Sequence, residues 1–263
     1  MDKKTCLITG ATSGLGKALS KKLATKNYNL ILISKSKNKL QSLSKLLNRK
    51  NIKYISADLS EIENIKKNIN KISKVDILIN NAGNFYFKKE KNKINKTIML
   101  NYFVPFFFIK KFILNKKNKK RRLVINICSH SIKRSSIPIS KIDKLENYNG
   151  WQIYKFSKLL LFLLTNFLSK KNINIDFYSF FPGRMKTGFG SENNILIKNI
   201  TKVYLKILGT SPDVIASKII KIIENKIKKK TKTNFEKKIL NNYGTKIQKE
   251  LYFKTIKILK KIK

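Results

Sequence analysis

Short apolar runs alternate with longer helix-like stretches along the chain. Residues 5–8, 29–34, 53–57, 75–80, 123–128 and 173–180 read as strands, nearly continuous in apolar residues. That is the pattern of parallel strands covered on both faces. Residues 15–26, 40–48, 62–72, 97–114 and 154–168 read as helices. Regular alternation predicts an α/β fold, a doubly wound parallel sheet with helices on both faces. The length of 263 residues suits one domain. Near the C-terminus, Ile247, Leu251, Ile258 and Ile262 recur at spacings of four, seven and four, which can form one apolar helix face. Such a helix either packs on the domain or makes a peripheral contact with an anionic membrane.

Composition narrows the picture. Hydrophobic residues make up 42% of the chain, with 16 Phe and 10 Tyr, enough for a sizeable core. The longest uncharged run, residues 97–109, has thirteen residues. A spanning helix needs about 20, so no transmembrane segment is expected. No apolar stretch precedes the first strand, so no secretory signal is expected. Cys6 and Cys128 lie in apolar strand-like runs and read as buried thiols in a reducing, cytoplasmic compartment. The net charge is +45, from 59 Lys and Arg against 14 Asp and Glu. Such a charge invites a nucleic-acid partner. However, the chain has 54 Lys, 39 Ile and 29 Asn against 5 Arg, 6 Ala and 4 Pro, a split that follows A/T-rich codons. A phosphate binder is expected to keep Arg, whose fork grips phosphate bidentately. Nucleic acid is therefore disfavoured as a partner.

Candidate chemistry begins at Thr9-Gly10-Ala11-Thr12-Ser13-Gly14-Leu15-Gly16, between the first strand and the first helix. Gly10 permits a tight turn, Gly14 lets backbone amides approach a pyrophosphate, and Gly16 lets the helix pack closely on the sheet. Thr9, Ser13 and Leu15 complete the loop, and the helix N-terminus faces the anion. This context makes the fold Rossmann-type. No acid ends the second strand, and Lys35 stands there to meet a 2′-phosphate. NADP(H) is favoured, and NAD(H) stays open.

Tyr154 and Lys158 are four apart, on one helix face. A free tyrosine titrates near pH 10, and lowering it to neutrality costs about 4 kcal/mol. A neighbouring lysine and a cationic nicotinamide together would supply that, making Tyr154 an acid/base for a substrate oxygen. His130, the only histidine, follows Ser129, but adjacent residues at a strand end point apart and no Asp partner is apparent. A Ser-His nucleophile is therefore not expected. One His and two separated Cys do not make a metal site.

With Asn80-Asn81-Ala82-Gly83 after the fourth strand and Ser129 after the fifth, the chain resembles the short-chain dehydrogenase/reductase family over essentially its whole length. The finer likeness is to the retinol-dehydrogenase-like and protochlorophyllide-reductase-like branch. It rests on Cys128-Ser129, on the 25 residues from Ser129 to Tyr154, on Ile142-Asp143-Lys144-Leu145, and on Gly209-Thr210-Ser211-Pro212-Asp213. The resemblance implies NAD(P)(H)-dependent interconversion of a carbonyl and an alcohol. Ser129 would orient the substrate oxygen, with Tyr154 as acid/base. Lys158 would hold the nicotinamide ribose and tune Tyr154, and Asn101 would support a proton relay. Asp58 would contact the adenine amine. Asn81, Ala82 and Gly83 would line the cofactor, with Pro182, Gly183 and Thr187 at the nicotinamide. Residues 1–217 would form the Rossmann-type catalytic domain, and 218–263 a basic helical extension packed on it. The helices at 97–114 and 154–168 would pair in a homodimer. Phe85, Tyr86, Phe87, Trp151 and Phe189 would line an apolar substrate pocket. The chain departs from the family at Val104, where glycine is common, and at Cys128. The usual last strand is unrecognisable at residues 232–235. A non-enzymatic dinucleotide sensor or nucleic-acid binder on this fold is the competing reading. The complete Ser129, Tyr154, Lys158 set speaks against it.

Overall fold

A computed structural model describes residues 3–70, 72, 74–86, 94–114, 121–172, 174–184, 209–224 and 232–261. Its strands are β1 (Thr5–Thr9), β2 (Asn29–Ser34), β3 (Ile52–Ser56), β4 (Ile77–Asn80), β5 (Arg122–Ile127) and β6 (Ile175–Phe180). They form one six-stranded sheet in the order β3-β2-β1-β4-β5-β6. Every pairing is parallel. The strand order reverses between β1 and β4, which opens a crevice at their C-terminal ends. Side chains alternate between the two faces. Leu7, Ile31, Leu78 and Val124 enter one core, and Cys6, Ile8, Leu30, Ile79 and Ile125 enter the other.

The second core is covered by α1 (Gly14–Ala24), α2 (Lys37–Leu47) and α6 (Pro212–Ile223). The first is covered by α3 (Ile62–Ile69), α4 (Lys96–Leu114), α5 (Gly150–Lys171) and α8 (Thr245–Lys261). Local chemistry sets several boundaries. Ser36 accepts from the Lys39 amide and starts α2 three residues before the expected Leu40. Asn48, at φ +40, ends it in the left-handed region. Asn149 and Gln152 form a reciprocal capping box that starts α5 four residues before Tyr154. Pro105 lies inside α4, flanked by wider π-type turns at Met99–Phe103 and Ile109–Leu114. A proline removes one helical donor, and such turns accommodate the mismatch.

The structure bears on three of the sequence expectations. α4 is long and apolar enough to cross a membrane, although its uncharged run is short, yet 78% of its apolar window is buried in this fold. It is a core helix. The boundary drawn after residue 217 falls inside α6, whose Ile215, Ala216, Ile219, Ile220, Ile222 and Ile223 are all core. The sheet and α6 thus share one core. At residues 232–235, where a last strand was sought, Thr233 caps α7 (Asn234–Asn242). Leu251 and Ile258 of α8 pack on the core. Ile262 lies outside the described residues.

Candidate active site

The Gly-rich loop joins β1 to α1 at the crevice. Gly10 has φ +66, and a Cβ on Gly16 would stand 2.0 Å from the Gly10 carbonyl oxygen. Only glycine at position 16 lets the helix start lie this close to the turn. Ser13 makes no side-chain cap at the start of α1. The first-turn amides are thus left to an anion or solvent. Asn81 fastens the loop to the end of β4. Its Nδ2 donates to the carbonyls of Thr9 (2.9 Å) and Gly10 (3.3 Å). Thr9 Oγ1 accepts from the Asn81 and Ala82 amides at 3.0 and 2.9 Å. On the far side of β1, Thr12 and Ser34 share a hydroxyl hydrogen bond of 2.6 Å.

Lys35 and Asp58 meet at the ends of β2 and β3, with Nζ 3.2 Å from Oδ2. Burial would raise the Asp58 carboxyl. The Ser60 hydroxyl (2.7 Å) and amide (2.9 Å), with Lys35, hold it below its ordinary value.

The proposed reaction centre lies at the end of β5. Ser129 caps a turn, accepting from the Ser131 amide at 3.2 Å, and its hydroxyl lies near enough to Tyr154 to favour the ionised phenol. Burial pushes the Tyr154 phenol up to about 12, against the downward pull of Ser129. The protein alone therefore keeps Tyr154 protonated at neutral pH, opposite in sign to the lowering expected from its neighbour. Lys158 lies one turn on, buried, donating to the Ile127 carbonyl at 2.9 Å. Burial depresses its ammonium to about 8. A Cβ on Gly83 would lie 3.0 Å from Lys158 Nζ and 3.2 Å from Asn101 Oδ1, so the three residues adjoin. Asn101 is fully buried in a π-type turn of α4. Its Nδ2 donates to Asn84 O and Ser157 Oγ, both at 2.9 Å, and its Oδ1 accepts from Asn84 N at 3.1 Å.

Sequence reasoning missed Asn84 and Ser157, which orient Asn101. It also missed the closeness of Cys128 to Lys158. Burial pushes that thiol up to about 12, with Lys158 and a hydrogen bond from Ser179 opposing. Asn84 directly follows Asn81-Ala82-Gly83 and Ser157 directly precedes Lys158. Adjacency to a motif was the available signal. Pro182 and Gly183, the latter at φ +76, follow β6. Thr187, Phe87 and Phe189 lie outside the described residues. Of the aromatic residues, Trp151 stacks on Tyr154 (5.2 Å, 16°), and Phe85 lies 5.8 Å from Trp151 and 6.0 Å from Tyr154. Tyr86 packs against the core. His130 packs against the rings of Phe181 and Phe235.

A phosphate-type loop at the crevice of a doubly wound sheet, with a Ser-Tyr-Lys set at the end of β5, defines a dinucleotide-dependent class of α/β enzyme. The pattern of the short chain dehydrogenases matches residues 4–195. The chain belongs to that family of oxidoreductases. It is 28% identical over 228 residues to a 3-oxoacyl-[acyl-carrier-protein] reductase of Buchnera aphidicola, covering 81% of this chain and 87% of the relative. Among solved structures, an alcohol dehydrogenase from Thermococcus sibiricus, complexed with 5-hydroxy-NADP, superposes with a TM-score of 0.64. The two are 24% identical, over 85% of this chain and 91% of that one. A 3-ketoacyl-(acyl-carrier-protein) reductase from Brucella melitensis, complexed with NADH, gives 0.65 at 18% identity, over 83% and 90%. These two likenesses bear on the fold alone.

Proposed function

We propose that the chain interconverts a carbonyl and an alcohol on an apolar small molecule, using NADP(H) in preference to NAD(H). The observation that carries this reading is the Ser129 hydroxyl close to the Tyr154 phenol, one turn from buried Lys158, with the Phe85 and Trp151 rings against the phenol ring. A bound nicotinamide supplies or accepts the hydride. Ser129 would hold the substrate oxygen, and Tyr154 would give it a proton or take one from it. Lys158, with the positive charge of the oxidised nicotinamide, would lower the phenol toward neutrality. Asn101 would carry the proton onward beside Lys158.

The loop Thr9 to Gly16 fits a pyrophosphate because it leaves first-turn amides uncapped and admits no side chain at Gly16. Lys35 supports the NADP(H) preference. Its ammonium already lies at the end of β2, where an acid would favour a ribose diol. The Cys128-Ser129 pair and its spacing to Tyr154 support the retinol-dehydrogenase-like branch. Buried free thiols support a reducing compartment. A homodimer through α4 and α5 would have to share that face with α8. Light scattering on the full chain tests it, as liposome flotation tests peripheral membrane contact.

Purified protein screened with aldehydes and ketones plus NADPH or NADH provides the test. Tyr154→Phe should lose roughly 10²–10⁴ of the turnover. Equal turnover in both proteins would sink the mechanism.

A further inference from the structure

The family pattern ends at residue 195, so α7 lies beyond what the family match covers. Where a strand was sought, a capping box starts this helix instead. Glu236 N donates to Thr233 Oγ1 at 3.3 Å, and Glu236 Oε2 accepts from Thr233 N at 2.8 Å. The box fixes the first turn, which carries Phe235. The Phe235 ring lies 5.4 Å from His130 and 5.6 Å from Phe181, and His130 lies 5.2 Å from Phe181. His130 directly follows Ser129, and Phe181 directly precedes Pro182. Their strand ends are joined by Cys128 N donating to Phe180 O at 2.8 Å. The three rings therefore form one cluster at the C-terminal ends of β5 and β6, the edge of the sheet that carries Ser129. They are not sealed in the core, since His130 is exposed and Phe181 and Phe235 are half-buried. A part-open aromatic surface beside a polar reaction centre suits the apolar body of a ligand. α8 steadies the same border. Lys254 Nζ donates to Ser140 O (2.6 Å) and Asp143 Oδ1 (2.8 Å), tying down the segment that follows Ser129.

We propose that Phe235, with His130 and Phe181, forms a second wall of the substrate site that selects carbonyl compounds with a long or bulky apolar body. This rests on the reading of Ser129 and Tyr154 as the reacting pair. The wall is separate from Phe85 and Trp151, and α7 contributes Phe235 to it.

Trp151 is the only tryptophan and stacks on Tyr154, so its fluorescence reports occupancy without turnover. The full chain is titrated with 2-decanone and with 2-butanone, NADP⁺ being present. Phe235→Ala should weaken 2-decanone binding at least tenfold and leave 2-butanone within twofold. Phe235→Leu should recover most of the loss. His130→Ala, at an exposed position, tests the same wall if Phe235→Ala does not fold, with a loss of about fivefold for 2-decanone alone. Unchanged binding of both ketones, or equal weakening of both, would overturn the proposal. Tyr154→Phe separates the two readings. Phe235-dependent ketone binding in a protein whose turnover ignores Tyr154 would retire the reaction and keep the wall.

Discussion

Lys158 carries a cost that its chemistry requires. Its side chain is buried, and its ammonium titrates near 8 in the folded protein instead of 10.5. The unfolded chain thus binds more protons between those values, and stability contributed at this residue rises with pH across that window. Each pH unit of separation is worth about 1.4 kcal/mol. The stability gap between Lys158→Met and wild type should therefore shift toward wild type by about 2–3 kcal/mol from pH 7 to pH 10. Urea melts at both pH values measure this, and a pH-independent gap would refute it. Tyr154, raised by burial, works in the opposite sense. Its contribution falls as pH climbs from about 10 toward 12. Gly16 gives a steric counterpart. A methyl there would meet the Gly10 carbonyl at 2.0 Å, a backbone atom with little room to yield. Gly16→Ala is expected to cost about 1–3 kcal/mol in urea melts and to weaken NADPH binding. These residues were legible because their partners are local, within Gly10–Gly16 and within one turn from Tyr154 to Lys158. Asn101 was named, yet its clamp by Asn84 and Ser157 spans 17 and 56 residues. No local spacing encodes such contacts.

Among the elements, α8 shows where apolar periodicity stops being informative. Leu251 was placed on its buried face, and it is there. The other buried positions are Gln248 and Thr255, three and four residues from Leu251 and polar. They can be buried because each finds a partner. Gln248 Oε1 accepts from Asn166 Nδ2 at 2.7 Å, and Thr255 Oγ1 shares a 2.6 Å hydrogen bond with Tyr102 OH. Their partners come from α5 and α4, so the tail's docking register was invisible to a search for Ile and Leu. Thr255→Val should strand the buried Tyr102 hydroxyl and cost about 1–3 kcal/mol. Tyr102→Phe with Thr255→Val should recover most of that, because no polar atom is then left unpaired. A double-mutant cycle by chemical denaturation gives the coupling, and additive losses would contradict it. α7 was missed for a different reason. Residues 232–235 were read against an expected strand, while the signal present was Thr233-x-x-Glu236, an N-terminal capping box.

At the scale of the whole molecule, the fold order and the crevice follow from a pattern that lysine enrichment left intact. Strands are written in Ile, Leu and Val, and among the described residues every lysine but Lys158 is at least partly exposed. The 14 acidic residues cannot neutralise 59 basic ones. Pairs such as Lys26–Glu224, Arg121–Asp176 and Lys254–Asp143 engage only part of the excess. Such a net charge destabilises a compact state through self-repulsion. Exposed ion pairs contribute little in return, about 0–1 kcal/mol each. Screening therefore relieves more repulsion than it removes attraction, since the Debye length shrinks from about 30 Å at 0.01 M to 10 Å at 0.1 M salt. The melting temperature should rise with NaCl over that range, the reverse of a protein held together by its salt bridges. Differential scanning fluorimetry at pH 7 reads it directly, and a falling midpoint would mean that the lysines are organised into stabilising pairs. The same titration separates the origins of the charge. A basic surface selected for a polyanion loses affinity steeply as salt climbs. One that arose from codon bias has no such ligand to lose, and only its fold responds.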